Sequence, residues 1–139
     1  MTVEYAVESV AGIWDEMMPL FEMHWAETGR VVPGFASIAL AVNRAAYEAM
    51  ESAGVYACFT ARVDGGIVGY STYTVGPSLQ HGLMTAVHDV LFVHPAHRTA
   101  LVGMGLVRFC DTAMKAAGVQ LVVQESPAAV DCGAMFRRL

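Results

Sequence analysis

The chain has 139 residues, of which 55% are hydrophobic and 15% charged, with a formal net charge of −5. That apolar share excludes an intrinsically disordered chain, and the length suits one domain, 1–139, able to bury a core without metal or disulfide staples. The acidic balance and the lack of a Lys/Arg cluster argue against nucleic acid as the main partner, and no apolar run is long enough to span a bilayer.

The N-terminal stretch MTVEYAVES has no basic signal-peptide region, so a cytoplasmic location is expected. Val3, Tyr5 and Val7 alternate as in a half-buried strand. From Ile13 a helix follows, with Ile13, Met17, Leu20, Phe21 and His24 on one stripe and Asp15, Glu16 and Glu22 off it. Gly29 is expected to end this helix, and RVVPGF to be a loop. A second helix over residues 37–53 would pack through Ile38, Val42, Ala46, Ala49 and Met50, with Gly54 closing it.

VYACFTARV (55–63) and IVGYSTYTV (67–75) read as strands joined by Asp64-Gly65-Gly66, a strong hairpin signal. The polar loop GPSLQHGLMT leads into AVHDVLFV (86–93), apolar and short enough for a buried strand. Pro95 stops its ladder, and the apolar period then changes from 2 to 3.6. Val102, Leu106, Phe109, Cys110, Ala113 and Ala117 fall on one face of a third helix, which Gly118 ends. VQLVVQ is a fifth strand, and Ser126-Pro127 caps a last helix running to the final residue. The order β-α-α-β-β-β-α-β-α is that of an α/β (α+β) chain. Cys58, Cys110 and Cys132 lack disulfide or zinc spacing and read as buried free thiols, so no metal is expected. The nine methionines are assigned to filling the core.

Where the strand at 86–93 turns into the third helix, the helix's first free N–H groups collect at the strand's end. Such a cluster suits a phosphate or pyrophosphate; Arg98 could add a bidentate contact, and Gly103 would let a ligand approach the backbone. An ordinary strand–helix connection with a solvent-facing arginine accounts for the same residues.

The segment LFVHPAHRTALVGMGLVRF resembles the acetyl-CoA signature of the GNAT superfamily of N-acetyltransferases, in which a strand ending L-x-V-x-P precedes R-x-x-G-x-G or R-x-x-G-x-A. Leu91, Val93, Pro95, Arg98 and Gly103 match in register, while Leu101 stands where the first glycine is expected. The resemblance covers nearly the whole chain in element order, but is specific only over residues 89–109. It implies a mixed, mainly antiparallel sheet flanked by helices. It also implies that acetyl-CoA, as acyl donor, is held by Leu91, Phe92, Val93, Arg98, Thr99, Ala100, Leu101, Val102, Gly103 and Met104. The strand at 91–93 would splay from the fifth strand, and a backbone N–H near Leu91 or Phe92 would polarise the thioester carbonyl.

The same resemblance implies a base on this strand. With strict alternation, Asp89 shares a face with Val87, Leu91 and Val93, opposite His88, Val90, Phe92 and His94. Among Val and Leu its carboxylate should be pushed upward by desolvation, towards the range of a general base, although it could instead hydrogen-bond a neighbouring loop. His24 and His88 are read as structural, while His81, His94 and His97 are left unassigned. Phe136 aligns with the tyrosine that protonates the CoA thiolate in many relatives, and it has no proton to give. GAMFRRL resembles a family segment that usually continues into two further strands, so a minimal or shortened member is expected.

The resemblance thus implies acetyl transfer from acetyl-CoA to a primary amine, small molecule or peptide, by direct attack with Asp89 as general base. The rival is a non-catalytic CoA-binding or assembly module. The fifth strand carries Val119, Leu121, Val122 and Val123 with no charge before Glu125, so a homodimer or larger assembly with that strand or the last helix at its interface is also expected, unless the last helix covers the edge and leaves a monomer.

Overall fold

The computed structural model describes residues 2–98 and 101–125. The last helix expected from Pro127, with Cys132 and Phe136, lies outside them, as do Thr99 and Ala100. Five strands form one sheet in the order β1-β2-β3-β4-β5: Val3–Val7, Tyr56–Val63, Gly66–Pro77, Met84–Val93 and Leu121–Val123. Every neighbouring pair is antiparallel except β4 and β5, which run parallel. Among the described residues the α-helices are α1 (Trp14–Val31), α2 (Arg44–Ser52) and α3 (Val102–Ala116).

Alternation along the strands divides the core into two layers. Tyr56, Cys58, Ile67, Tyr70 and Phe92 point to α1, where Met17, Leu20 and Phe21 meet them, with Tyr47 and Met50 of α2 at the margin. Phe59, Ala61, Val68, Tyr73 and Ala86 point the other way, onto Val102, Leu106, Cys110 and Met114 of α3. Fully burying one such side chain stabilises the fold by roughly 1.5–3 kcal/mol. Gly105 lets α3 settle on the sheet: a Cβ there would lie 2.1 Å from the Tyr5 hydroxyl, which donates to the Val102 carbonyl at 3.3 Å.

The hairpin expected at Asp64-Gly65 is present, with positive φ at both residues (51° and 82°), the backbone of a type I′ turn. Two helix boundaries differ from the sequence reading. Gly29 does not end α1, which continues to Val31; glycine suits the position because the backbone of Ala36 crosses so closely that a Cβ would lie 3.2 Å from its Cα. Nor does α2 begin near residue 37. A short 3₁₀ turn covers Phe35–Ser37, and the helix starts at Arg44, where the Asn43 side chain accepts the Ala46 N–H at 3.1 Å. The apolar period of residues 38–42 imitates a helix, but Asn43 sets the start by satisfying an N–H that a longer helix would bond internally.

Strand β5 is also shorter than the apolar run VQLVVQ. Gly118 takes a left-handed conformation (φ 96°) and the Val119 N–H closes on the Met114 carbonyl, so these residues end α3. Among the described residues no helix is long and apolar enough to cross a membrane.

Candidate active-site cleft

Strand β5 pairs with β4 only at Thr85, Ala86 and Val87. From Asp89 to Val93 that side of β4 has no strand partner among the described residues, which is the splaying expected from the sequence. Antiparallel alternation fixes which groups face the gap. The His94 N–H bonds the Val68 carbonyl at 2.7 Å and the Val90 N–H meets Thr72 Oγ1 at 3.2 Å, so Phe92, in phase between them, directs its main chain at Tyr70 of β3. Leu91 and Val93 direct theirs into the gap. The Val93 carbonyl is met there by Arg98 Nε at 2.8 Å, and Leu91 keeps its N–H and C=O towards the opening. Of the two residues expected to supply a polarising N–H, geometry selects Leu91. Phe92 is a core residue, 3% exposed.

The pairing register skips one residue of β4: Thr72 faces Val90, and the next residue, Tyr73, faces His88. Asp89 is therefore the extra residue of a β-bulge. Strict alternation fails at this point, and the expected phase of Asp89 is overturned. Leu91 and Val93 pack with the α3 layer, whereas Asp89 lies on the opposite face, where Tyr56 donates its hydroxyl to Oδ2 at 2.7 Å. His88 is displaced too, its ring lying against Tyr73 of the α3 layer and not beside Phe92. Asp89 is also exposed, so the burial among Val and Leu expected from the sequence is absent.

Around this carboxylate stands a group of rings. Tyr47 packs edge-on to Tyr56 at 5.3 Å, Phe21 lies edge-on to Tyr70 at 5.1 Å, and His24 stacks on Phe92 at 5.1 Å. Burial, with the nearby Asp89 charge adding to it, raises the Tyr47 and Tyr56 phenols above their ordinary value. They stay neutral, and Tyr56 remains a donor to Asp89. His24 Nδ1 lies 3.2 Å from the Tyr70 hydroxyl, and burial lowers its pKa; it braces α1 against β3 and β4, as read from the sequence.

Arg98 meets three groups at once. It donates to the Val93 carbonyl, places both Glu27 carboxylate oxygens within reach of one guanidinium nitrogen (2.8 and 2.6 Å), and lies 5.4 Å from the centre of the Phe92 ring. The free guanidinium expected for a phosphate is thus engaged by Glu27 of α1. The remaining predicted residues separate. Gly103 and Met104 line the cleft beside Leu91, Phe92, Val93 and Arg98, Leu101 is 65% exposed, and the Val102 side chain is buried in the α3 layer. Since the first intrahelical bond joins the Gly105 N–H to the Leu101 carbonyl, the N–H groups of Val102, Gly103 and Met104 are those a helix start leaves to other partners.

These parts share one cleft of about 1670 Å³, bounded on its far side by Phe35, Leu40, Val42, Tyr47 and Met50. Sequence reasoning missed Glu27, Tyr47 and Tyr56. Glu27 lies 71 positions from Arg98, and no local pattern announces such a pair; Tyr56 opened a strand already assigned, and its place beside Asp89 required the bulge. Of the other candidates, Cys58, Cys110, His81 and His94 are not in the cleft lining, whereas His88 is. Cys58 and Cys110 are buried, with thiols pushed up to about 12 by desolvation, and are poor nucleophiles. His94 accepts the Ala96 N–H and His81 the Leu83 N–H, each bracing its own turn. The ring nitrogens of His88 are buried without a hydrogen-bond partner among the described residues, and desolvation lowers its pKa.

No protein-family model and no curated protein matches this sequence. Solved structures do. A ribosomal-protein-alanine N-acetyltransferase from Brucella melitensis biovar Abortus superposes with TM-score 0.70 at 17% identity, over 99% of this chain and 88% of its own. An aminoglycoside acetyltransferase from an uncultured soil metagenomic sample, in complex with sisomicin, gives 0.72 at 17% identity, over 99% and 84%. A GNAT family acetyltransferase from Staphylococcus aureus gives 0.68 at 11% identity, over 94% and 93%. The chain has the GNAT acetyltransferase fold.

Proposed function

We propose that this GNAT-fold chain binds acetyl-CoA along the unpaired edge of β4 and transfers the acetyl group to a primary amine. The observation that carries the reading is the gap between β4 and β5 beyond Val87, into which Leu91 presents main-chain groups. An extended amide-bearing chain fits such an edge as a short extra strand would. Gly103 and Met104 at the start of α3 would receive phosphate at the same cleft. When bound, acetyl-CoA supplies a thioester carbonyl carbon open to an amine.

The chain's own residues would do the rest. The Leu91 N–H is directed where a carbonyl oxygen can accept it. Asp89, fixed through Oδ2 by Tyr56, would take one proton from the bound ammonium at the mouth of the gap; the neutral amine then attacks, and the proton its nitrogen sheds passes through water to the departing thiol. Neither buried cysteine stands at that edge, which favours direct attack over a covalent enzyme intermediate. The rival of a CoA-binding module without turnover draws on Phe136, which lacks the phenol of many relatives. Arg98 would contact phosphate only by giving up Glu27. A cytoplasmic location and a homodimer formed through β5 complete the proposal.

Calorimetric titration of acetyl-CoA, followed by thiol release with a panel of amines, tests the reading. Saturable binding and amine-dependent release are expected. Absence of binding removes it, and binding without release for every amine favours the module.

A further inference from the structure

The cleft has a second half that cofactor binding does not use, and its chemistry narrows the acceptor. Opposite β4, the wall is built by the segment between α1 and α2 and by α2 itself: Phe35, Leu40, Val42, Ala46 and Met50. This wall is braced from behind. The Trp25 indole N–H donates to the Ile38 carbonyl at 2.7 Å, and its ring stacks on Phe35 at 5.4 Å. Asn43 then fixes the start of α2 by taking the Ala46 N–H. The apolar surface is therefore held in place before a ligand arrives.

Charge within the cleft is sparse and mostly committed. Arg98 and Glu27 neutralise each other, and Arg30 turns its Nε to the Ala26 carbonyl of its own helix. Glu125 lies at the β5 side, near His88. Asp89 alone faces the aromatic side without an ion pair among the described residues. Tyr56 takes Oδ2, and the Oδ1 lone pairs point to no donor among those residues. Tyr56 stands beside it as a neutral donor, with Tyr47 edge-on to Tyr56 and both lining the cleft.

Resting on the transfer reading above, we infer that the acceptor is a singly charged primary amine carrying an apolar or aromatic body. Its ammonium binds Asp89 beside Tyr56, and its body lies against Phe35, Leu40 and Val42. A polycationic or polyhydroxylated amine is disfavoured by the same wall. Its additional ammonium and hydroxyl groups would be desolvated against Phe35, Leu40, Val42 and Met50, which offer no hydrogen bonds, while the Asn43 oxygen at the same wall is committed to capping α2, and burying such groups unpaired is costly. This separates the chain from its structural neighbour solved with sisomicin, despite the common fold.

The test compares 2-phenylethylamine, spermidine and kanamycin as acceptors, and measures binding of 2-phenylethylamine and uncharged 2-phenylethanol to the CoA-loaded protein by calorimetry. The expected preference in kcat/KM for 2-phenylethylamine over either polycation is about tenfold or more, the scale on which pocket contacts discriminate. Asp89→Asn should weaken 2-phenylethylamine binding about tenfold and leave 2-phenylethanol unchanged, as loss of a charged contact requires. Leu40→Asp, at a position 36% exposed and so tolerant of the change, should weaken both aromatic ligands and leave CoA affinity unchanged. Binding of 2-phenylethylamine that depends on Asp89 and Leu40, without acetylation, keeps the acceptor assignment and removes the transfer reading. Acetylation of kanamycin or spermidine at least as fast as 2-phenylethylamine keeps transfer and overturns the inference. It is equally overturned if 2-phenylethylamine fails to bind, or binds without responding to either substitution.

Discussion

Two arginines, Arg62 in β2 and Arg98 just past β4, are both ion-paired and serve opposite purposes. Arg62 of β2 is 19% exposed and clasps Glu8 and Glu16 together, while Glu8 also accepts from Thr60 and Glu16 from the Ile67 N–H. That network ties the end of β1, the first turn of α1 and the β2–β3 hairpin into one closed corner. Arg98 is 45% exposed and has a single carboxylate, Glu27, at the rim of the cleft. A charge with many partners and little water is expensive to release, whereas one with a single exposed partner exchanges it easily. The molecule is latched at the corner and left open at the cleft.

Substitutions should separate the two regions. The largest effect belongs to the open one: Asp89→Asn should lower the acetylation rate by about 10²–10⁴ while acetyl-CoA affinity measured by calorimetry stays nearly unchanged. At the closed corner, Arg62→Met should cost about 1.5–3 kcal/mol in urea unfolding, the scale of one hydrogen bond to a charged group, with no change in acetyl-CoA affinity. Equal losses of stability from Arg62→Met and Arg98→Ala would erase the contrast. Arg98→Ala should cost under about 1 kcal/mol of stability, as exposed pairs do. Its effect on acetyl-CoA binding should be about 1.5 kcal/mol, the low end for a charged hydrogen bond, because the Glu27 pair is given up first.

Acid should reach the corner as well. The hydrogen bond from Arg62 holds the Glu8 carboxyl below its ordinary 4.5, so its contribution is complete above that value and is lost as pH falls through the lower, folded-state value. Unfolding curves of the parent should weaken below pH 4.5 more steeply than those of Arg62→Met. The smallest expected effect concerns assembly. β5 has a strand partner on one side only among the described residues, and light scattering behind a sizing column should show a dimer at micromolar concentration. A monomer there removes the proposed β5 interface.

Sequence carried the element order well because each signal was local: Asp64-Gly65 for the hairpin, Pro95 for the end of β4, Gly118 for the end of α3. It carried α2 poorly because residues 38–42 keep a helical period while serving as the cleft wall, and only the Asn43 cap marks the true start. The site was half legible. Leu91, Arg98 and Gly103 follow a spacing, but the partner of Arg98 is remote in sequence, and the face of Asp89 depends on a pairing register that alternation cannot reveal.

That register has one more implication. Count β4 without residue 89, and the remaining side chains alternate without a break: Ala86 and His88 to the α3 side, Val90 to the α1 side, Leu91 back, Phe92 across, Val93 back. Position 89 is supernumerary to the ladder. A single-codon deletion inside a central strand ordinarily inverts everything after it, yet here the frame would close up with each neighbour still facing the layer it packs in. The alternation of the sheet is complete without residue 89, and the bulge sets its carboxylate at the cleft, where the Tyr56 hydroxyl meets it.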